Sequence, residues 1–106
     1  MKLKPGVRLT DLAPQMVMAC LVIEEVFASY GVECVVTSAN DSKHGDNSWH
    51  FKGRALDFRT RYDALNGKEQ ELRMTVKAAL GDEFDVVMEA VGTDNEHLHV
   101  EYDPKG

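Results

Sequence analysis

At 106 residues the chain holds one domain built on a single modest core. Its 43% hydrophobic and 28% charged residues are those of an ordinary globular protein and exclude a disordered or low-complexity chain. A formal charge of -6 lacks the basic footprint that phosphate binding needs, so nucleic acid is not an expected partner, while a peptide or glycopeptide substrate remains compatible.

The first residues, Met1-Lys-Leu-Lys-Pro-Gly, are too polar for a signal peptide, and no apolar run approaches the length of a membrane span. A product made in the cytoplasm, with no membrane association, is expected. Residues 1–13 form a lead-in with a turn at Pro5-Gly6 and a helix cap at Asp11. Pro14 then falls in the first helical turn, where its missing N–H costs nothing. Met16, Cys20, Ile23, Phe27 and Tyr30 recur at steps of three and four, and Ala19, Val22 and Val26 widen the stripe. This predicts a core helix from Pro14 to Tyr30, stopped by Gly31, with its methionines as core filler. Cys20 and Cys34 are not in a CxxC motif or near the histidines, so both are expected as buried reduced thiols.

Glu33 to Ser38 is a β-rich run, and Ala39 to Asn47 is a polar loop of the kind that carries function on a rigid scaffold. Arg54 to Arg59 predicts a second strand, with Ala55, Asp57 and Arg59 on one face and Leu56 and Phe58 on the other. Residues 64–80 predict a helix with Leu65, Leu72, Val76 and Leu80 on one side and Gly81 as its stop. Phe84 to Glu89 and His97 to Tyr102 both alternate, and Ala90 to Asn95 joins them as a hairpin loop. In the last strand His97, His99 and Glu101 share one face, while Leu98, Val100 and Tyr102 share the other. The fold class that follows is α+β: a small antiparallel sheet backed by two helices, with an open polar face that holds the site.

Two segments carry the chemistry. Ser48 to Asp57 holds His50 and Asp57, and Glu96 to Tyr102 holds His97 and His99. An aspartate in mid-strand is disfavoured unless it is paired or ligating. His97 and His99 lie on one strand face about 7 Å apart. One imidazole and the carboxylate from the first segment, with one imidazole from the second, make a three-ligand set. Such a set leaves a fourth tetrahedral position open, as in catalytic zinc sites.

Ser48-x-His50-x-x-Gly53-x-Ala55-x-Asp57 resembles the S-x-H-x-x-G-x-A-x-D signature of the zinc D-Ala-D-Ala carboxypeptidase superfamily, and all five fixed positions are present. That superfamily groups cell-wall peptidases, L-alanyl-D-glutamate endopeptidases of phage endolysins, and the hedgehog signalling fold. Glu96-x-x-His99 is similar to its second signature, and the ending His-x-His-Val-Glu-Tyr looks most like short phage and prophage members. The resemblance spans roughly residues 30–104. It implies Zn²⁺ as cofactor, held by His50, Asp57 and His99, and Glu96 as the general base. It implies a zinc metallopeptidase, a hydrolase of peptidoglycan stem peptides used in cell wall degradation. A member without a signal peptide would reach the cell wall through a holin or in a virion.

Glu96 is out of strand phase with His99 and is expected at the loop–strand junction; Glu89, at the end of the preceding strand, is the rival base. His97 is a candidate to bind substrate or a developing oxyanion. Arg54 and Arg59 are candidates for a substrate carboxylate, Arg59 having Asp57's parity. Ser48 and His44 are expected to line the same pocket, Ser48 as a contact rather than a nucleophile. Trp49 and Phe51 flank His50 as cleft walls or as loop packing. One monomeric domain uses all 106 residues, with no separate cell-wall-binding domain expected. A non-catalytic zinc-binding module of the same fold is the alternative.

Overall fold

The computed structural model describes residues 1–39 and 53–104. It is a small α+β domain with a five-stranded mixed sheet and two helices. In chain order these are β1 (Lys2–Leu3), α1 (Pro14–Ser29), β2 (Val35–Ala39), β3 (Ala55–Arg59), α2 (Glu69–Leu80), β4 (Phe84–Glu89) and β5 (His97–Tyr102). The sheet order is β1-β2-β3-β5-β4, so the last strand to be made inserts between β3 and β4.

The core follows from the alternation. Leu56 and Phe58 of β3 and Leu98 and Val100 of β5 are buried on the face that meets Met16, Ile23 and Phe27 of α1 and Leu72 and Val76 of α2. Phe27 and Phe58 lie in ring contact with centroids 6.1 Å apart. Cys20 and Cys34 are buried and unbridged, and burial pushes the Cys34 thiol up to about 12. Lys77 reaches from the last turn of α2 to the carbonyls of Gly81 and Phe84, where a cation complements the helix dipole.

Four details of the chain's path depart from the expectations, and of the α1 methionines only Met16 is core, Met18 being 63% exposed. The lead-in contains a strand: β1 pairs in parallel with Val35 and Val36, so the sheet is mixed rather than antiparallel throughout. Its backbone supplies partners for an otherwise bare edge, with Lys2 N–H on the Cys34 carbonyl at 2.9 Å and Lys4 N–H on the Val36 carbonyl at 2.8 Å. Lys4 then opens a turn closed by Val7 N–H on its own carbonyl at 3.0 Å, with Pro5 second and Gly6 third at φ 92, as a type II turn requires. Second, β2 begins at Val35 rather than Glu33, because the chain first wraps the end of α1: the N–H groups of Tyr30 and Val32 both return to the Phe27 carbonyl.

Third, the segment expected as one helix over residues 64–80 is a single 3-10 turn at Asp63–Leu65 followed by α2. Asn66 is extended, with ψ 123, and interrupts the helix; Leu65 is nevertheless fully buried, as its place in the apolar pattern implied. Fourth, Asp11 does not cap α1. The N-cap is Ala13, without a side-chain bond, and Asp11 takes a positive φ of 56. That backbone pose carries the lead-in across Gly53: Ala13 N–H donates to the Gly53 carbonyl at 2.9 Å, and the Asp11 carbonyl oxygen lies 1.9 Å from where a Cβ on Gly53 would stand.

Candidate functional site

The sheet register assembles the site. On the face away from the helices, Asp57 of β3 is directly opposite His99 of β5, and Arg59 is opposite His97. From the other side β4 sets Glu89 opposite His97, and Val87 opposite His99. Two residues that are 42 apart in the chain thereby become cross-strand neighbours.

Their side chains close on one another. His99 Nδ1 lies 2.7 Å from Asp57 Oδ1, and His99 Nε2 lies 3.2 Å from Glu101 Oε1. His97 Nε2 is 2.8 Å from Glu89 Oε1 and 3.6 Å from Asp57 Oδ2, while its Nδ1 is 2.7 Å from the Asn95 carbonyl. Each ring nitrogen of both histidines faces a carboxylate or carbonyl oxygen, an arrangement that favours the protonated imidazole. For His99 the hydrogen-bonded Asp57 carboxylate outweighs burial and, with Glu101, holds the imidazole up to about 9. Burial pulls His97 down, yet the Asn95 carbonyl, Asp57 and Glu89 together leave it above its ordinary value.

These shifts predict how the metal-free protein responds to pH. An imidazole whose pKa rises on folding stabilises the fold fully below its unfolded value of 6.5, and that contribution is lost as pH climbs through about 9. Urea unfolding of the chelated protein should therefore show stability falling over this window, by on the order of 2 kcal/mol. The chelated His99→Gln variant should show a markedly shallower slope; equal slopes would remove His99 as its source.

Glu96 sits immediately before β5, at the expected loop–strand junction. Its Oε2 accepts from Thr60 Oγ1 at 2.7 Å and its Oε1 from Gly92 N–H at 3.1 Å. Thr60, at 1% exposure, is buried just beyond the end of β3, and this bond gives its hydroxyl a partner. Beside these groups an open groove of about 490 Å³ is lined by Asp57, Glu96 and His97, and by Arg59. Arg54 is placed elsewhere: its guanidinium lies over the Tyr102 ring, 5.3 Å from the centroid.

Of the sequence-derived set, Asp57, His97, His99, Glu96 and Arg59 thus come together, with Glu89 on His97. His44, Ser48 and His50 lie outside the described residues, as do Trp49 and Phe51. Among the described residues no group of three or more His, Cys, Asp and Glu side chains is arranged to hold a metal ion. With His50 outside that description, Asp57 and His99 are the two expected ligands whose placement is known. Comparisons with family models, curated proteins and solved structures found no match for this chain. Among the described residues, no helix is long and apolar enough to cross a membrane.

Two participants in the site carry little or no signal in the sequence. Glu101 shares His99's strand face, and parity alone pointed to it; its carboxylate is the second partner of that imidazole. Thr60 gave no signal, since a threonine just after a strand is ordinary until its hydroxyl is found buried against a carboxylate.

Proposed function

We propose that the protein is a zinc-dependent peptidase that hydrolyses bonds of peptidoglycan stem peptides, as an L-Ala-D-Glu endopeptidase or a D-Ala-D-Ala carboxypeptidase, in phage lysis or cell-wall remodelling. The observation that carries this reading is the Asp57–His99 pair. It brings together, on an open sheet face, the aspartate of one sequence signature and the histidine of the other, with donor atoms 2.7 Å apart.

The donor chemistry fits the ion. One imidazole nitrogen and one carboxylate oxygen are ligands of the kind that catalytic zinc takes. The proton between them would have to leave for both to serve as ligands. His50, Asp57 and His99 would hold the zinc. Glu101, on the far nitrogen of His99, would fix that ring as outer carboxylates do at zinc–histidine sites.

When bound, zinc would supply Lewis acidity to the scissile carbonyl and make water easier to deprotonate. The chain's own residues would do the remaining work. Glu96 would leave Thr60 and Gly92 to take the proton of the attacking water and then hand it to the leaving amine. His97, anchored through Nδ1 on the Asn95 carbonyl, would turn its Nε2 proton from Glu89 to the oxyanion that develops.

A second reading has an observation of its own. Both Glu96 oxygens are occupied by protein donors, which suits a brace of the β4–β5 loop in a zinc-binding module without turnover. Digestion of purified peptidoglycan, with products identified by mass spectrometry, separates the two. The peptidase reading expects fragments that appear with zinc and disappear with chelator, their new termini naming the bond. Stoichiometric zinc with no fragments would leave the binding module.

A further inference from the structure

The groove beside Asp57 has a wall that the reactive residues do not use. Lys4, Arg59 and Arg61 all line it, from the end of β1, from β3 and from the segment after β3. Gathering three of only twelve basic residues at one groove runs against the overall charge of -6.

The carboxylates in the same groove are already engaged within the protein. Asp57 bonds His99, Glu96 accepts from Thr60 and Gly92, and Asp94 pairs with Arg61 at 2.7 Å. Lys4 makes no ion pair among the described residues. Among the described residues, a molecule that enters therefore meets carboxylates already engaged, Arg61 paired with Asp94, Arg59 whose charge also acts on Tyr62 and Glu33, and Lys4 without an ion pair.

Lys4 is held where it is by backbone. Its N–H is on the Val36 carbonyl and its carbonyl closes the Pro5-Gly6 turn, so the position does not depend on the lysine side chain. Among the described residues the exposed Lys4 has no ion-pair partner that a ligand would have to displace.

We propose that Lys4, with Arg59, forms an anion subsite that binds a substrate carboxylate on the β1–β2 side of the Asp57–His97 pair. This rests on the peptidase reading for its substrate class, and it gives the lead-in strand a role in specificity. A planar guanidinium suits a carboxylate, and the lysine adds a point charge that reaches it from the neighbouring strand. That carboxylate is either the peptide's C-terminal group or an acidic side chain, and the two sources call for separate probes.

The test is NMR titration of the zinc-loaded protein with alanyl-glutamate, with alanyl-glutamine, and with the C-terminal amide of each. The subsite expects tighter binding of at least one acidic form than of its neutral counterpart, by about fivefold, the upper range for an exposed charge pair. Shifts should appear at Lys4 and Arg59, and Lys4→Gln should erase most of the preference while leaving thermal stability unchanged. Loss of preference against alanyl-glutamine assigns the side chain; loss against the C-terminal amides assigns the terminus. Equal binding of acid and neutral forms by the unaltered protein, or a preference that survives Lys4→Gln, overturns the subsite. Peptidoglycan digestion run alongside is independent: no turnover with a Lys4-dependent preference defeats the peptidase reading and leaves the subsite standing.

Discussion

Glu96→Gln is expected to lower peptidoglycan hydrolysis by a factor of about 10³, within the range for loss of a positioned general base. The amide keeps the size of the side chain, and its oxygen can accept from Gly92 N–H while its NH2 donates to the Thr60 hydroxyl, so zinc stoichiometry and melting temperature should stay close to those of the unaltered protein. Glu89→Gln provides the contrast. Glu89 is hydrogen-bonded to His97 at 2.8 Å, so its loss should weaken the hold on that imidazole and lower turnover more modestly, by about tenfold. If Glu89→Gln is the more damaging of the two, the base has been assigned to the wrong carboxylate. Full activity in Glu96→Gln would be equally decisive against it.

Gly53→Ala should produce the largest loss of stability. Gly53 has φ 68, a left-handed conformation that costs an alanine about 1–2 kcal/mol. The greater obstacle is contact: the new methyl would lie 1.9 Å from the Asp11 carbonyl oxygen and 2.9 Å from its carbon. Both obstructing atoms are backbone, and the Ala13 N–H bond to Gly53 fixes the crossing, so no side-chain rotation relieves the overlap. A total above about 3 kcal/mol is expected, lowering the melting temperature by more than about 10 °C. Thermal unfolding followed by circular dichroism measures it, and a shift below about 3 °C would show that the crossing is not held in solution. The glycine of the first signature thus has a structural reason to be there that is independent of metal.

Wherever local pattern decides structure, the elements were readable. The alternation of β3, β4 and β5 and the stripe of α1 follow from single-segment periodicity, and each lies within a residue of its expected bounds. β1 was not readable, because Lys2-Leu3 has no period of its own and is a strand only because the edge of β2 takes it as a partner. Leu65 was placed in the core correctly and in a helix wrongly, since burial depends on hydrophobicity and conformation here on Asn66. For the site, parity put Asp57 and His99 on polar faces, but nothing in either segment sets the register that makes them neighbours. Parity favours Arg59 over Arg54, since it shares Asp57's face, and the sheet places Arg59 in the groove and Arg54 over Tyr102.

The place of β5 has a consequence for how the protein comes into being. Among the described residues it follows every other strand along the chain yet lies inside the sheet, and it supplies Leu98 and Val100 to the core and His99 to the site. A nascent chain that stops short of it has β3 and β4 without the strand that joins them. Core and site should therefore form together and late, once Tyr102 has cleared the ribosome, rather than in stages during synthesis. Closing that long loop before any reward is collected also slows the search, so folding should be a single concerted step paced by one distant pairing.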